Sequence, residues 1–122
     1  MMVKVLFLAL TIILNVVLAK IDANKISRNL QIYHGINAAV YLVYLAVCYF
    51  ITGSAFLALG CAIARILIFN TSLNYFRGLS LDYTSQTTTS VIDKITNPII
   101  KKLGYWNYNI ALTIVSLILI FI

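Results

Sequence analysis

The residue with the clearest chemical consequence is Arg65, which lies inside an apolar segment that spans residues 54–70. A guanidinium near the centre of a bilayer costs at least ~2.5–3.5 kcal/mol on insertion scales, so such a side chain normally faces protein or water. The acids that could neutralise it, Asp22, Asp82 and Asp93, all lie in stretches predicted as loops. We therefore expect Arg65 to hydrogen-bond polar groups on neighbouring helices, or to extend its side chain toward water.

Residue types for catalysis or metal binding are scarce. The chain has one histidine, His34, and its two cysteines, Cys48 and Cys61, stand inside apolar segments without a C-x-x-C spacing. Hydrolytic chemistry needs paired carboxylates, a serine with a base or several metal ligands, and none of these combinations is evident. We predict no enzyme activity, no metal and no cofactor. His34 is interpreted as a polar end group of a helix, with a proton carrier as the alternative.

Composition places the chain among membrane proteins. Of its 122 residues, 62% are hydrophobic and 10% are charged, against about 45–50% and about 25% in soluble domains. A soluble domain of this size could not bury so much apolar surface. The net charge of +6 comes from bases that flank the apolar runs instead of clustering, so we expect a lipid bilayer as partner and no nucleic acid.

Hydropathy predicts an all-α, four-helix integral membrane protein with a single domain. The predicted spans are residues 3–19, 32–52, 54–76 and 106–122. Residues 3–19 also resemble a signal peptide, but a retained first span is preferred. Residues 79–102 are interpreted as an interfacial loop with a short amphipathic helix from Val91 to about Thr96, which Pro98 would end.

The bases also predict orientation and membrane-surface contacts. Both the loop after the first span and the loop after the third are basic, so both belong on the cytoplasmic side and both termini on the other side. Within the interfacial segment, Lys94, Lys101 and Lys102 are expected to contact anionic lipid. Trp106 is expected in the aromatic belt where the fourth span enters the membrane.

Each predicted span carries one polar or small-residue stripe. Steps of three or four residues keep the members of a stripe on one helical face. Small residues in such a stripe let helices approach closely. The stripes are Asn15 in the first span, then His34, Asn37, Tyr41 and Tyr44 in the second, Ser54, Ala58, Ala62 and Arg65 in the third, and Asn109 in the fourth.

Two interpretations of the stripes remain open. In the first, they form interhelical hydrogen bonds, each worth about 0.6 kcal/mol, and they fix the register of the helices. In the second, Tyr41, Tyr44, Arg65 and Asn109 line a water-filled path, which a bundle of this size could form only as an oligomer.

The most distinctive string of the chain follows Arg65. Its characteristic residues are Arg65, Asn70, Asn74, Arg77, Gly78, Tyr83, Thr88 and Asp93. In these residues the chain resembles small multi-span membrane proteins of Bacteroidota and their phages, over about a quarter of its length. The resemblance implies a phage- or prophage-linked membrane protein of unassigned activity, and it implies no site residues.

These observations predict a non-enzymatic structural or assembly component that forms a homo-oligomer or joins another membrane protein. A lipid-containing virion or a host envelope would be its setting. The alternative is a holin-like or channel-forming protein, since short length, several spans and basic loops suit that class as well. The chain ends apolar at Ile122, without the charged tail that is frequent in holins.

Overall fold

The computed structural model describes residues 1–30, 34–84 and 91–122, and over these ranges the only regular elements are helices. Three helices are long and apolar enough to cross a membrane. The predicted all-α, multi-pass membrane class is therefore confirmed. Residues 31–33, which include the first two residues of the predicted second span, lie outside the described ranges. The helices are α1 (Met2–Ser27), α2 (His34–Thr52), α3 (Ala55–Phe76), α4 (Val91–Leu103) and α5 (Tyr105–Phe121).

Helix α1 continues well beyond the end of the first predicted span at residue 19. The stretch after Ala19 holds no glycine or proline, so nothing in it stops an established helix. The helix ends at Ser27, and Asn29 follows with a positive φ of 54°. Residues 20–27 are therefore helical, and their polar side chains belong to the same faces as the apolar span. One face of α1 is buried along its length: Phe7, Thr11, Asn15, Leu18, Ala19, Asp22 and Ala23.

Helices α2 and α3 form a tight hairpin. Gly53, with φ +66°, makes the turn, and the side chain of Ser54 caps α3 by accepting a hydrogen bond from the backbone N–H of Leu57 at 3.1 Å. A serine at this position satisfies one of the free N–H groups at a helix N-terminus. Helix α3 ends at Phe76, before Gly78 with φ +68°.

Helix α3 is the central element of the bundle. It packs most extensively on α5 and α1, and less extensively on α2. The α3–α5 approach is close because Gly60 has no side chain: a Cβ there would lie 2.6 Å from Cγ1 of Ile120 and 2.9 Å from the carbonyl oxygen of Ser116. A buried apolar cluster joins α1, α2, α3 and α5 at the end of the bundle that holds the α2–α3 turn: Phe7, Cys48, Leu57, Cys61 and Ile120.

The segment predicted as an interfacial loop contains a full helix, α4. The expectation that Pro98 ends the helix near Thr96 is wrong, because α4 continues through Pro98 to Leu103. Proline removes the N–H that would bond the carbonyl of Lys94, and water can satisfy this carbonyl because Lys94 is exposed. At Gly104, with φ +90°, the chain turns by 111° into α5.

Candidate functional site

Arg65 lies halfway along α3 and contacts side chains of α1, α2 and α3. Its Nη1 donates a hydrogen bond to Oδ1 of Asn15 at 2.9 Å. The guanidinium carbon lies 4.7 Å from the ring centroid of Tyr41 and 4.4 Å from that of Phe69. A cation beside an aromatic face gains about 2 kcal/mol where water is excluded. The two rings and the amide thus replace part of the hydration that this charge would have in water.

Tyr41 connects the partner of Arg65 to the backbone of α3. Its hydroxyl accepts a hydrogen bond from Nδ2 of Asn15 at 3.3 Å and donates one to the carbonyl oxygen of Cys61 at 2.6 Å. Nδ2 of Asn15 also donates to the carbonyl oxygen of Thr11 at 2.8 Å. Both Asn15 and Tyr41 are buried, and buried polar groups of this kind need such partners. Three helices therefore share one connected set of hydrogen bonds.

Tyr44, one turn along α2, extends the set toward the apolar cluster. Its hydroxyl donates to the carbonyl oxygen of Phe7 at 2.9 Å and lies 2.8 Å from Oγ1 of Thr11. The rings of Tyr41 and Tyr44 are tilted against each other, with centroids 5.5 Å apart. The two tyrosines thus attach successive turns of α2 to α1.

Asp22 extends the set in the opposite direction and corrects an expectation. The sequence predicted it in a loop, but it lies in α1 and is 2% exposed. Its Oδ2 accepts a hydrogen bond from Nδ2 of Asn37 at 2.7 Å. Thr11, Asn15 and Asp22 are spaced by four and seven residues, and this spacing is the sequence signal that could have placed the acid on the buried face of α1.

We name this set the polar seam. It runs along the contact of α1 with α2 and α3, from Tyr44 at one end to Asp22 at the other. Its one guanidinium and one carboxylate balance in formal charge, and the rest of its groups are amides and hydroxyls. Such a set can fix helix register, and it can hold water or an ion where the helices separate. Its members are Thr11, Asn15, Asp22, Asn37, Tyr41, Tyr44 and Arg65.

The other predicted helix-contact residues lie elsewhere. Ser54 caps α3, and Ala58 packs against the buried apolar cluster. Ala62 is half-buried on α3. Asn109 is buried on α5, where its Nδ2 bonds the carbonyl oxygen of Tyr105 and its Oδ1 has no hydrogen-bond partner among the described residues. The side chain of His34 lies outside the part of the chain that is described.

One close helix contact falls on a residue that the small-residue stripe did not include. Gly60 faces α5, and the hydroxyl of Ser116 donates to the carbonyl oxygen of Gly60 at 2.8 Å. The sequence signal for this contact was the single glycine of the third span. Ser54, Ala58 and Ala62, which repeat every four residues, lie on a different face of α3 from Gly60.

A second polar region lies where α3, α4 and α5 meet. Residues of the distinctive string line a small cavity of about 70 Å³ there, enough for one or two water molecules. Nδ2 of Asn74 donates to the carbonyl oxygens of Leu81 and Tyr83, each at 2.9 Å. Thr88 lies outside the described residues, and the sequence alone did not identify this cavity. The members of the string that line it are Asn70, Asn74, Arg77, Tyr83 and Asp93.

The predicted membrane-surface residues are all solvent-exposed. Lys94, Lys101 and Lys102 are exposed on α4, and Trp106 is exposed in the first turn of α5. Beside them Tyr105 is buried, and its hydroxyl lies 2.9 Å from Oγ1 of Thr71, which connects the start of α5 to α3.

Neither a metal-binding cluster among the described residues nor a similar known protein points to a function. Within the described part of the chain, no three side chains of His, Cys, Asp or Glu are grouped to hold a metal ion. Comparisons with family models, with curated proteins and with solved structures give no match.

Proposed function

We propose that this chain is a non-enzymatic, four-span membrane protein that acts as a structural or assembly component, as a homo-oligomer or with another membrane protein. The observation that carries the proposal is the polar seam. Its polar groups at mid-depth bond one another across helices, which is the arrangement of a packed scaffold. The alternative arrangement, side chains around an open path, would leave those groups facing water.

Helix α5 supplies the fourth span of this proposal. With 17 residues it is about 25 Å long, close to the ~30 Å thickness of the hydrocarbon layer. The turn of 111° at Gly104 then directs α4 along the membrane surface. In this placement the two basic loops lie on the cytoplasmic side, and both termini lie on the opposite side.

The assembly surface in this proposal is the outer face of α2. This helix packs less extensively on α3 than α1 and α5 do. Large apolar residues cover its outer face, and Phe50 is 81% exposed. Lipid covers such a face in a monomer, and a second copy or another membrane protein covers it in an assembly. The resemblance to phage-linked membrane proteins suggests a lipid-containing virion or a host envelope as the place of assembly.

One observation favours a second candidate, a holin-like or channel-forming protein. A guanidinium has five N–H donors, and Arg65 makes one hydrogen bond among the described residues. The side chain is half-buried, so water that enters between helices could reach the remaining donors. An oligomer that opens around this side chain would conduct ions.

Flux through liposomes discriminates the two functions. Purified protein is reconstituted, its insertion is verified, and leakage of ions and of a small dye is measured for wild type and for Arg65→Leu. Arg77→Leu serves as the matched control, because it removes the same charge from the exposed end of α3. If the protein is a scaffold, no sample shows flux, and chemical cross-linking of the wild type gives an oligomer. Flux in the wild type that changes with Arg65→Leu but not with Arg77→Leu supports the channel and overturns the scaffold.

A further inference from the structure

A cleft beside α4 is larger than the polar cavity next to it. It has a volume of about 680 Å³ and lies between α4, the start of α5 and Thr84. This size falls within the range of about 300–1,000 Å³ typical of ligand sites. Tyr105 and Asn97 line both the cleft and the small cavity, so the two spaces are neighbours.

The charge of the cleft is positive. Among the described residues, its charged lining residues are Lys94 and Lys101, which lie seven positions apart on one face of α4. Two helical turns separate them, a rise of about 10 Å, so both ammonium groups can approach one anionic group from different sides. Thr84 and Asn97 add polar groups between them. Asp93, the nearest acid in sequence, lines the small cavity instead.

The neighbouring face of α4 is apolar and has no cover within the described chain. Ile95, Ile99 and Leu103 recur every four residues, and they are 63%, 44% and 53% exposed. Trp106, in the first turn of α5, is 45% exposed. A helix with one exposed apolar face and one basic face lies in the headgroup region of a bilayer. The cleft therefore opens at the level where lipid phosphates lie.

We propose that this cleft binds the phosphate of an anionic phospholipid, with Lys94 and Lys101 as its cationic contacts. The acyl chains of the same lipid then pack against the exposed apolar face of α4. This inference rests on the interfacial position of α4 in the proposed function. It adds selectivity for one class of lipid headgroup at one place on the protein.

Native mass spectrometry of the purified full chain tests the proposal. The protein is exposed to mixed micelles of phosphatidylcholine and phosphatidylglycerol, and the retained lipid is counted for wild type and variants. A lysine that only adds to the surface charge contributes about fivefold in affinity. Lys94→Gln and Lys101→Gln each remove a charged hydrogen bond to the phosphate, so each should reduce retained phosphatidylglycerol by at least about tenfold. Lys102→Gln is the matched control, because it removes the same charge next to Lys101 but outside the cleft.

Three results would overturn the proposal. Equal retention of phosphatidylcholine and phosphatidylglycerol means that the cleft does not recognise an anionic headgroup. An equal loss with Lys102→Gln means that general surface charge attracts the lipid. Displacement of the lipid by inorganic phosphate means that the site takes the free ion instead. Cross-linking of the same samples reports the oligomer separately, so a failed lipid site is distinguishable from a failed scaffold.

Discussion

Nη1 of Arg65 lies 2.9 Å from Oδ1 of Asn15, and each residue lies near the midpoint of its own helix. Two helices that bond at their midpoints are fixed in register along the membrane normal. Tyr41 adds α2 to this register through its ring and its hydroxyl. The only arginine within a span is therefore held where three helices meet.

Replacing Arg65 with leucine should loosen the bundle and weaken assembly without preventing insertion. The variant loses one interhelical hydrogen bond of about 0.6 kcal/mol and, at this half-buried site, two ring contacts of about 1 kcal/mol each, so the total loss is about 2–3 kcal/mol. Thermal unfolding in mild detergent measures the loss, and native gels report the oligomer. Arg65→Lys keeps the charge but not the planar group, and we expect an intermediate effect. Unchanged melting and unchanged oligomer size for Arg65→Leu would refute this role.

Gly60→Ala should destabilise the α3–α5 contact by about 1–3 kcal/mol, as overpacking does in other tight cores. The added Cβ meets backbone at Ser116, which cannot move aside as a flexible side chain can. Gly35→Ala is the matched control, because nothing lies within 4 Å of a Cβ at that helical position. Replacing this helical glycine should stabilise the chain by about 0.5–1 kcal/mol. Thermal melting of both variants gives the comparison, and equal shifts would contradict the packing described for Gly60.

Tyr41→Phe should cost about 1 kcal/mol, because it removes a buried hydroxyl and leaves the carbonyl oxygen of Cys61 without that donor. Tyr49→Phe is the control on the same helix. The Tyr49 side chain is 47% exposed, so removing its hydroxyl leaves no buried acceptor without a donor. Denaturant titration in detergent measures both free energies of unfolding. Equal stability of the two variants would show that the Tyr41 hydroxyl contributes nothing to the bundle.

Cysteine labelling tests the proposed topology. Asn24→Cys and Lys102→Cys should react with a membrane-impermeant maleimide from the cytoplasmic side, and Ile122→Cys only from the opposite side. The native thiols Cys48 and Cys61 are fully buried and should stay unlabelled, which keeps the background low. Labelling of Asn24→Cys and Lys102→Cys from different sides would exclude the arrangement in which both basic loops share one face.

The sequence predicts the helices better than it predicts their contacts. Hydropathy and turn residues such as Gly53 are enough to predict membrane-spanning helices, because the length and apolar content of a segment decide whether it can span a bilayer. Gly60 shows why the contacts are harder to predict. Gly60 lies on a different face of α3 from the stripe of Ser54, Ala58 and Ala62, and only the position of α5 decides that the face of Gly60 is a close contact.

Asp22 illustrates a second limit of sequence analysis. A polar stretch after an apolar run reads as a loop, yet α1 continues through it, and the carboxylate is buried against Asn37. Burial of an acid depends on a partner from another helix, and hydropathy averaged along one helix does not contain that information. The sequence did not predict the small cavity where α3, α4 and α5 meet for a similar reason, because its lining residues come from separate elements.

The order of the polar seam along the chain has a consequence for biosynthesis. Asn15 and Tyr41, the contacts of Arg65 on other helices, both precede it, so a ribosome delivers α1 and α2 to the membrane first. In the folded chain hydrogen bonds such as that between Asn37 and Asp22 join these two helices, and we expect them to form before α3 arrives. When α3 leaves the translocon, the amide oxygen of Asn15 and the ring of Tyr41 are therefore already in the membrane at the depth of Arg65. The guanidinium can pass from the protein-conducting channel to its partners without crossing lipid alone.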